Sequence, residues 1–393
     1  MADVVRIREI DTACSGRIGI ATLDSPTSLN ALSLAMVDGL QIPLTQWAAD
    51  PEVVAVMLDG EGERAFCAGG DLMDLYRSIR DAGSSPNAYA RQFFSREYRL
   101  DYLIHTYPKP LLCWGHGIVM GGGMGLMAGA SHRVVTERTR MAMPEIGIGL
   151  FPDVGASWIL NRLPVRTGLF LALTGAPLNA ADALFAGLAD FCLPQASHAA
   201  VIAEMAAAKW HREAAANARL LSRLLQAQAA ASPPAVGALT PAVTPAVTPA
   251  VTPAASTAAA SNLRSNFDAI QQLIGHDSLA DIAARLEAAA GGDSWLGAAA
   301  ANFLKGSPTS AALAHALLQR ARHLSLREVF QMEFDVAIAC CAHHDFAEGI
   351  RALLVDKDRK PHWQPARLAD VDASLIAEHF KPRHGPNPLA DLR

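Results

Sequence analysis

Six of the eleven residues from Gly115 to Gly125 are glycine, and this run limits the fold more than any other stretch of the chain. It follows Lys109–Trp114 (KPLLCW), an apolar strand candidate whose entry is marked as a turn by Pro108 and Pro110. A helix candidate, Gly122–Ala128, begins inside the run. Glycines so placed suit a tight strand-to-helix turn in which backbone must come close to something else. A second turn of this type, Arg64–Asp71 (RAFCAGGD), follows the strand candidate Val54–Leu58. Each turn leaves backbone N–H groups unpaired at a helix N-terminus, where the helix dipole favours negative charge.

The flanking pattern extends this reading. Arg17–Leu23 (RIGIATL) is a further strand candidate, and Asp71–Ala82 and Ala88–His105 are helix candidates. Alternation of this type predicts an α/β layered fold. From Ala229 to Asn262 the chain is almost entirely Ala, Pro, Thr, Val and Ser, with a PAVT repeat from Pro241 to Thr252. Such a segment cannot pack a core, so a disordered linker is expected there. Beyond it, Leu263–Leu286 and Ser310–Ala342 carry helical periodicity, and the tail from Asp356 reads as a surface wrap. The 393 residues thus divide into a core over 1–228, a linker over 229–262 and a mainly helical C-terminal unit over 263–393.

Composition excludes several classes of function. A formal net charge of −5 gives no overall attraction for nucleic acid or an anionic membrane. The most apolar glycine-rich run, Ile118–Ala130, has 13 residues, against the roughly 20 of a membrane span. The N-terminus, MADVVRIREID, lacks a basic region followed by an apolar stretch, so no signal peptide is expected and a cytoplasmic location is. The six cysteines form no CxxC pair, so neither a metal site nor a disulfide framework is expected. Cys67, although inside a glycine turn, reads as packing.

The glycine turns match no common nucleotide fingerprint: GHGIVM fails GxGxxG at its last position, and GxxxxGK[ST] is absent. Gly155-Ala-Ser157-Trp-Ile does not complete a nucleophile elbow. Two donor turns without a serine nucleophile point to an oxyanion hole built from backbone. Two acids, Glu145 and Asp153, lie eight residues apart with Gly147, Gly149 and Pro152 between them, hence on a turn and not on one helix. By itself Asp153 reads as a carboxylate at the start of a helix running to Leu163, and Glu97 as a solvated helix charge near Arg96 and Arg99. The adjacent His343 and His344 do not face one another on a helix and read as packing or surface.

RAFCAGGDL, KPLLCWGHGIVMGGGMGL and MAMPEIGIGLFPDVGASWILNRLP, in this order, resemble the crotonase (enoyl-CoA hydratase/isomerase) superfamily. FQMEFDVAIACCAHHDFAEGIRALLVDKDRKPHWQP is similar to its 3-hydroxyisobutyryl-CoA hydrolase branch. The resemblance implies a spiral core of ββα turns that binds a CoA thioester, with the N–H groups of Ala68 and Gly122 as oxyanion donors. It further implies Glu145 as the catalytic glutamate, Asp153 as the second catalytic acid, and Glu97, Gly69, Gly121 and Asp71 around the substrate. His116, in the second glycine turn, falls at a position of variable type in that superfamily and takes no role from it. One departure is informative. The hydratases carry a second glutamate where this chain has Gly125, and hydration needs acid–base work at two centres. Hydrolysis needs one carboxylate near the carbonyl, as base or as nucleophile. The resemblance therefore implies hydrolysis of a short branched β-hydroxyacyl-CoA, 3-hydroxyisobutyryl-CoA of valine breakdown first among candidates. It implies no metal or redox cofactor, no partner beyond the acyl-CoA, and a homo-oligomer as an option. A hydratase or isomerase, and a non-catalytic acyl-CoA-binding protein, are the alternatives.

Overall fold

The apolar runs become two sheets joined turn by turn. The computed structural model describes residues 4–14, 16–83, 85–231, 260–275, 278–292, 294–383 and 385–393. Its strands are β1 (Val5–Asp11), β2 (Arg17–Leu23), β3 (Val53–Gly60), β4 (Ala65–Cys67), β5 (Leu111–Gly115), β6 (Ile118–Met120), β7 (His132–Thr136), β8 (Arg140–Ala142) and β9 (Phe191–Leu193). The larger sheet has the order β1-β2-β3-β5-β7-β9 and the smaller β4-β6-β8. β1 pairs antiparallel with β2, and the remaining pairs are parallel. Val56 lies opposite Leu111, Leu112 opposite His132, and Val134 opposite Phe191. The chain thus steps from the large sheet to the small one in each turn, β3 to β4, β5 to β6, β7 to β8, which is the expected α/β spiral.

Burial explains why β5 reads as an unbroken apolar run. Leu111 and Cys113 enter the main core, whereas Leu112 and Trp114 enter a second core against the helices His198–Ala207 and Ala214–Ala231. A strand covered on both faces loses the polar alternation of a half-exposed one. The helices Leu72–Ala82, Ala88–His105 and Gly122–Ala128 form where the periodicity predicts them. Helix Leu34–Ala49 escapes the sequence reading because Gly39 and Pro43 interrupt its pattern. The three-residue strands β4, β6, β8 and β9 are too short to show a period.

The C-terminal helices are shorter than expected. Leu263–Leu286 divides into Asn262–Ser265, Phe267–Ile274 and Leu279–Ala289, with Gly275 at φ +50° ending the second. Ser310–Ala342 divides into Pro308–Ala321 and Leu326–Ala342, the latter started by a capping box of Ser325 and Glu328.

Two boundaries are corrected. Ala229–Ala231 complete the helix Ala214–Ala231, and Ser261 caps Asn262–Ser265 while its hydroxyl donates to Asp182 Oδ1 at 2.8 Å. The segment expected as a linker over 229–262 is therefore structured at both ends, and residues 232–259, with the PAVT repeat, lie outside the described residues. Nor do the C-terminal helices form a core of their own: Leu263, Phe330, Phe346 and Leu389 share one apolar cluster with Val56, Phe66 and Phe93. The tail returns to this core through the buried Leu389 and Leu392, and Arg99 holds Asp391 at 2.7 Å. Among the described residues no helix is long and apolar enough to cross a membrane.

Candidate active site

The two glycine turns, at the ends of β4 and β6, meet over a pocket of about 80 Å³. Ala68, Gly69, Gly121 and Gly122 line it on one side, and Glu97, Glu145 and Asp153 reach it from three separate segments. Leu72, Leu75, Phe93, Phe94, Ile148, Leu150 and Phe346 supply apolar walls. The glycines are required by proximity. A Cβ on Gly122 would lie 2.5 Å from Glu97 Oε1, and one on Gly121 would lie 3.1 Å from Glu145 Oε1. Gly121 also takes φ +48°, the left-handed region that glycine tolerates best.

The two expected oxyanion donors differ. Gly122 is the first residue of helix Gly122–Ala128, so its N–H has no intrahelical acceptor. The Ala68 N–H is not free, contrary to expectation: it donates to the Leu29 carbonyl at 3.1 Å, because the chain at Leu29 and Asn30 turns back through the left-handed region beside it. Asp71 is a second correction. Its carboxylate caps helix Leu72–Ala82, accepting from the N–H groups of Met73 at 3.1 Å and Asp74 at 3.4 Å, and it lies outside the pocket lining.

Asp153, by contrast, does not cap the helix that follows it. Tyr98 Oη donates to its Oδ2 at 2.6 Å. The cap of helix Ala156–Leu160 comes from the other end of the chain: Glu333, fully buried, accepts from Gly155 N at 2.7 Å and Ser157 N at 2.8 Å. Those bonds hold a strained backbone, since Val154 takes φ +53° and Gly155 φ +83°. A β-branched residue rarely adopts that conformation, and such strain persists where surrounding contacts dictate it. Glu97 is buried rather than solvated, while its neighbours Arg96 and Arg99 turn outward to Asp38 and Asp391. Glu145 opens the 3₁₀ turn Glu145–Ile148, and its Oε2 is buried without a hydrogen-bond partner.

Five buried carboxyl groups thus gather here: Glu97, Asp101, Glu145, Asp153 and Glu333. Burial, then the charges of Asp153, Asp101 and Glu145, pushes Glu97 well above the usual carboxylate range. Burial, then Asp153, does the same to Glu145. Asp153 is pushed up to about 6 by burial, with the Tyr98 bond pulling the other way. Glu333 rises to about 8, chiefly through burial. Asp153 therefore ionises more readily than its neighbours, and divergent acidities in one pocket are what acid–base chemistry requires.

Sequence reasoning missed Tyr98, Asp101 and Glu333. Glu97 and Asp101 stand four apart on helix Ala88–His105, a spacing that puts both on one face, and that signal was available. Asp101 has both carboxyl oxygens buried without a partner, and its Oδ2 lies 3.0 Å from where a Cβ on Gly125 would sit. Val154 Cβ lies 2.6 Å from the same point. The space that a side chain at 125 would need is already filled. Elsewhere, Cys67 is buried with its thiol pushed up to about 12, consistent with packing. His116 holds the Gly62 carbonyl at 2.8 Å, and His343 and His344 hold the carbonyls of Ala339 and His362.

A family model described as enoyl-CoA hydratase/isomerase matches residues 18–380. A zebrafish (Danio rerio) protein named "3-hydroxyisobutyryl-CoA hydrolase, mitochondrial" is 36% identical over 365 residues, covering 93% of this chain and 87% of its own. The human (Homo sapiens) protein of the same name is 33% identical over 366 residues, covering 93% of this chain and 86% of its own. Among solved structures, one titled as a carnitinyl-CoA dehydratase from Mycobacterium thermoresistibile has a TM-score of 0.77 and 35% identity, covering 97% of each chain.

Proposed function

The chain belongs to the enoyl-CoA hydratase/isomerase family, and from that premise we propose that it hydrolyses a short β-hydroxyacyl-CoA thioester, 3-hydroxyisobutyryl-CoA first among them. The named relatives divide between hydrolase and dehydratase. The observation that carries hydrolysis over hydration is at position 125. Gly125 provides no second acid, and Val154 and Asp101 occupy the space into which one would project. With no acid at 125, Glu145, which lies beside the oxyanion turn together with Glu97, is left to act as the base, and one base suits addition of water to a carbonyl.

In this reading the thioester carbonyl oxygen lies against the Gly122 N–H, which stabilises the negative charge that develops there. Ala68 adds a second donor by sharing its hydrogen between the oxyanion and Leu29. The ionised Glu145 takes a proton from water as the new C–O bond forms. The tetrahedral intermediate collapses, the C–S bond breaks, and the proton on Glu145 passes to the departing CoA thiolate. The products are the free acid and CoA. Burial that makes Glu145 slow to ionise also makes it a stronger base once ionised. Asp153, the most readily ionised of the set and bonded through Oδ2 to Tyr98, accepts the β-hydroxyl of the substrate. Glu97 bounds the same pocket.

The test follows free thiol release from 3-hydroxyisobutyryl-CoA and hydration of crotonyl-CoA by wild type and Glu145→Ala. Thiol release that falls by about 100- to 10,000-fold on substitution is expected for a general base. Hydration without thiol release in the wild type would refute the proposal.

A further inference from the structure

One wall of the acyl pocket comes from the far end of the chain. Among the described residues, every other residue lining the pocket lies between Ala68 and Asp153, and Phe346 alone comes from beyond residue 259. Phe346 is fully buried on helix His344–Ile350. That helix meets the turn carrying Glu145 backbone against backbone. A Cβ on Gly149 would lie 2.2 Å from the Asp345 carbonyl oxygen, and one on Gly349 would lie 2.3 Å from the Ile148 carbonyl oxygen. Polar contacts lock the same junction. Ser307 N donates to the Ile146 carbonyl at 2.9 Å, its hydroxyl donates to Asp345 Oδ2 at 2.6 Å, and Gln364 N donates to Asp345 Oδ1 at 2.8 Å. Residues on both sides of Phe346 are therefore fastened to the end of the Glu145 turn, at Ile148 and Gly149.

We infer that Phe346 is a specificity-determining residue: its ring closes the pocket against acyl chains longer than a short branched one, and the glycine junction keeps that wall from yielding. A mobile aromatic wall would re-pack around a longer chain. This one cannot retreat without separating Gly149 from Asp345 and Gly349 from Ile148, which would also move Glu145. Acyl size is thereby coupled to the placing of the catalytic acid. The inference rests on the thioesterase reading for its reaction but not for its binding, since the same wall would limit any acyl-CoA in this pocket.

The experiment compares wild type, Phe346→Leu and Phe346→Ala on 3-hydroxyacyl-CoA thioesters from four to eight carbons, reading kcat/KM for thiol release. Dissociation constants are measured in parallel for thioether analogues, which bind but cannot be hydrolysed. One methylene in a hydrophobic pocket is worth about 10- to 200-fold in discrimination. The six-carbon to four-carbon ratio should therefore rise at least about tenfold in Phe346→Ala, with Phe346→Leu between and the analogues following. An unchanged ratio in a variant that melts cooperatively would overturn the proposal, as would a wild type that takes eight carbons as well as four. If Phe346→Ala does not fold, the ratio in Phe346→Leu decides the matter by the same criterion. Analogue selectivity that shifts in a protein releasing no thiol would uphold the wall and refute only the hydrolase reading.

Discussion

Removing one oxygen atom, in Tyr98→Phe, should move the pH dependence of the reaction without disturbing the fold. The Tyr98 ring is held by Phe94 and Phe330, with ring centroids 5.7 and 5.8 Å away, and phenylalanine keeps both contacts. Only the 2.6 Å bond to Asp153 Oδ2 is lost. A hydrogen bond to a charged group is worth about 1.5–3 kcal/mol, and about 1.4 kcal/mol is a factor of ten in an ionisation constant. Asp153 should become roughly 10- to 100-fold weaker as an acid. It stands at about 6 with the bond in place, so at neutral pH it is mostly ionised in the wild type and mostly protonated in the variant. A protonated Asp153 no longer accepts as a carboxylate from the substrate hydroxyl. The assay is kcat/KM for thiol release from 3-hydroxyisobutyryl-CoA between pH 5 and 9. The acid limb should move to higher pH, with the two proteins far apart at pH 6 and converging at pH 9. A uniform drop with the limb in place would mean that Tyr98 only packs. No change at all would mean that the ionisation of Asp153 is irrelevant to the reaction.

Glu333→Gln should flatten the dependence of stability on pH. The folded-state value, raised to about 8, lies above the ordinary 4.5, so the contribution of the protonated form is present at low pH and is lost as pH rises through about 8. The wild-type melting temperature should fall between pH 5.5 and 8.5, and that fall should shrink in the variant. At pH 5.5 the variant should also be destabilised by about 1–3 kcal/mol, because an amide NH₂ then faces a buried N–H of Gly155 or Ser157, and this deficit should narrow towards pH 8.5; profiles of melting temperature against pH that run parallel would contradict this. Gly125→Glu should not install hydratase activity, because its Cβ would fall 2.6 Å from Val154 Cβ and 3.0 Å from Asp101 Oδ2. Overpacking of this kind costs about 1–3 kcal/mol, and a stably folded variant that hydrates crotonyl-CoA would refute the steric account.

Features encoded within a few neighbouring residues were legible. The strands Arg17–Leu23 and Val53–Gly60 and the helices Leu72–Ala82 and Ala88–His105 lie within two residues of where the apolar pattern put them. The run of glycines after β5 marked a strand-to-helix turn with free N–H groups, and the close approach of Glu97 and Glu145 to it is seen only in the structure. The acids at 145 and 153 were legible as a pair on a broken turn, and the structure brings both into one pocket. What escaped were the partners of individual groups. Asp71 and Asp153 both precede helices, and local sequence cannot tell which carboxylate will cap its own helix. Asp71 does so, whereas Asp153 is supplanted by Glu333, which lies 178 residues beyond Gly155 along the chain. The Ala68 N–H looks as open as that of Gly122 until Leu29 is seen beside it.

The division follows the range of the forces involved. The α/β alternation and the two glycine turns are written in the order of residues, because periodicity, turn chemistry and steric freedom act between near neighbours, whereas the spiral and the roles of the acids were implied by the family resemblance. The joining of the C-terminal helices to the main core, the closing of the pocket by Phe346 and the gathering of five carboxyl groups in one buried volume arise only on folding. Desolvation and Coulomb coupling depend on distance in space, and Glu333 comes within reach of Gly155 only when the whole chain has folded.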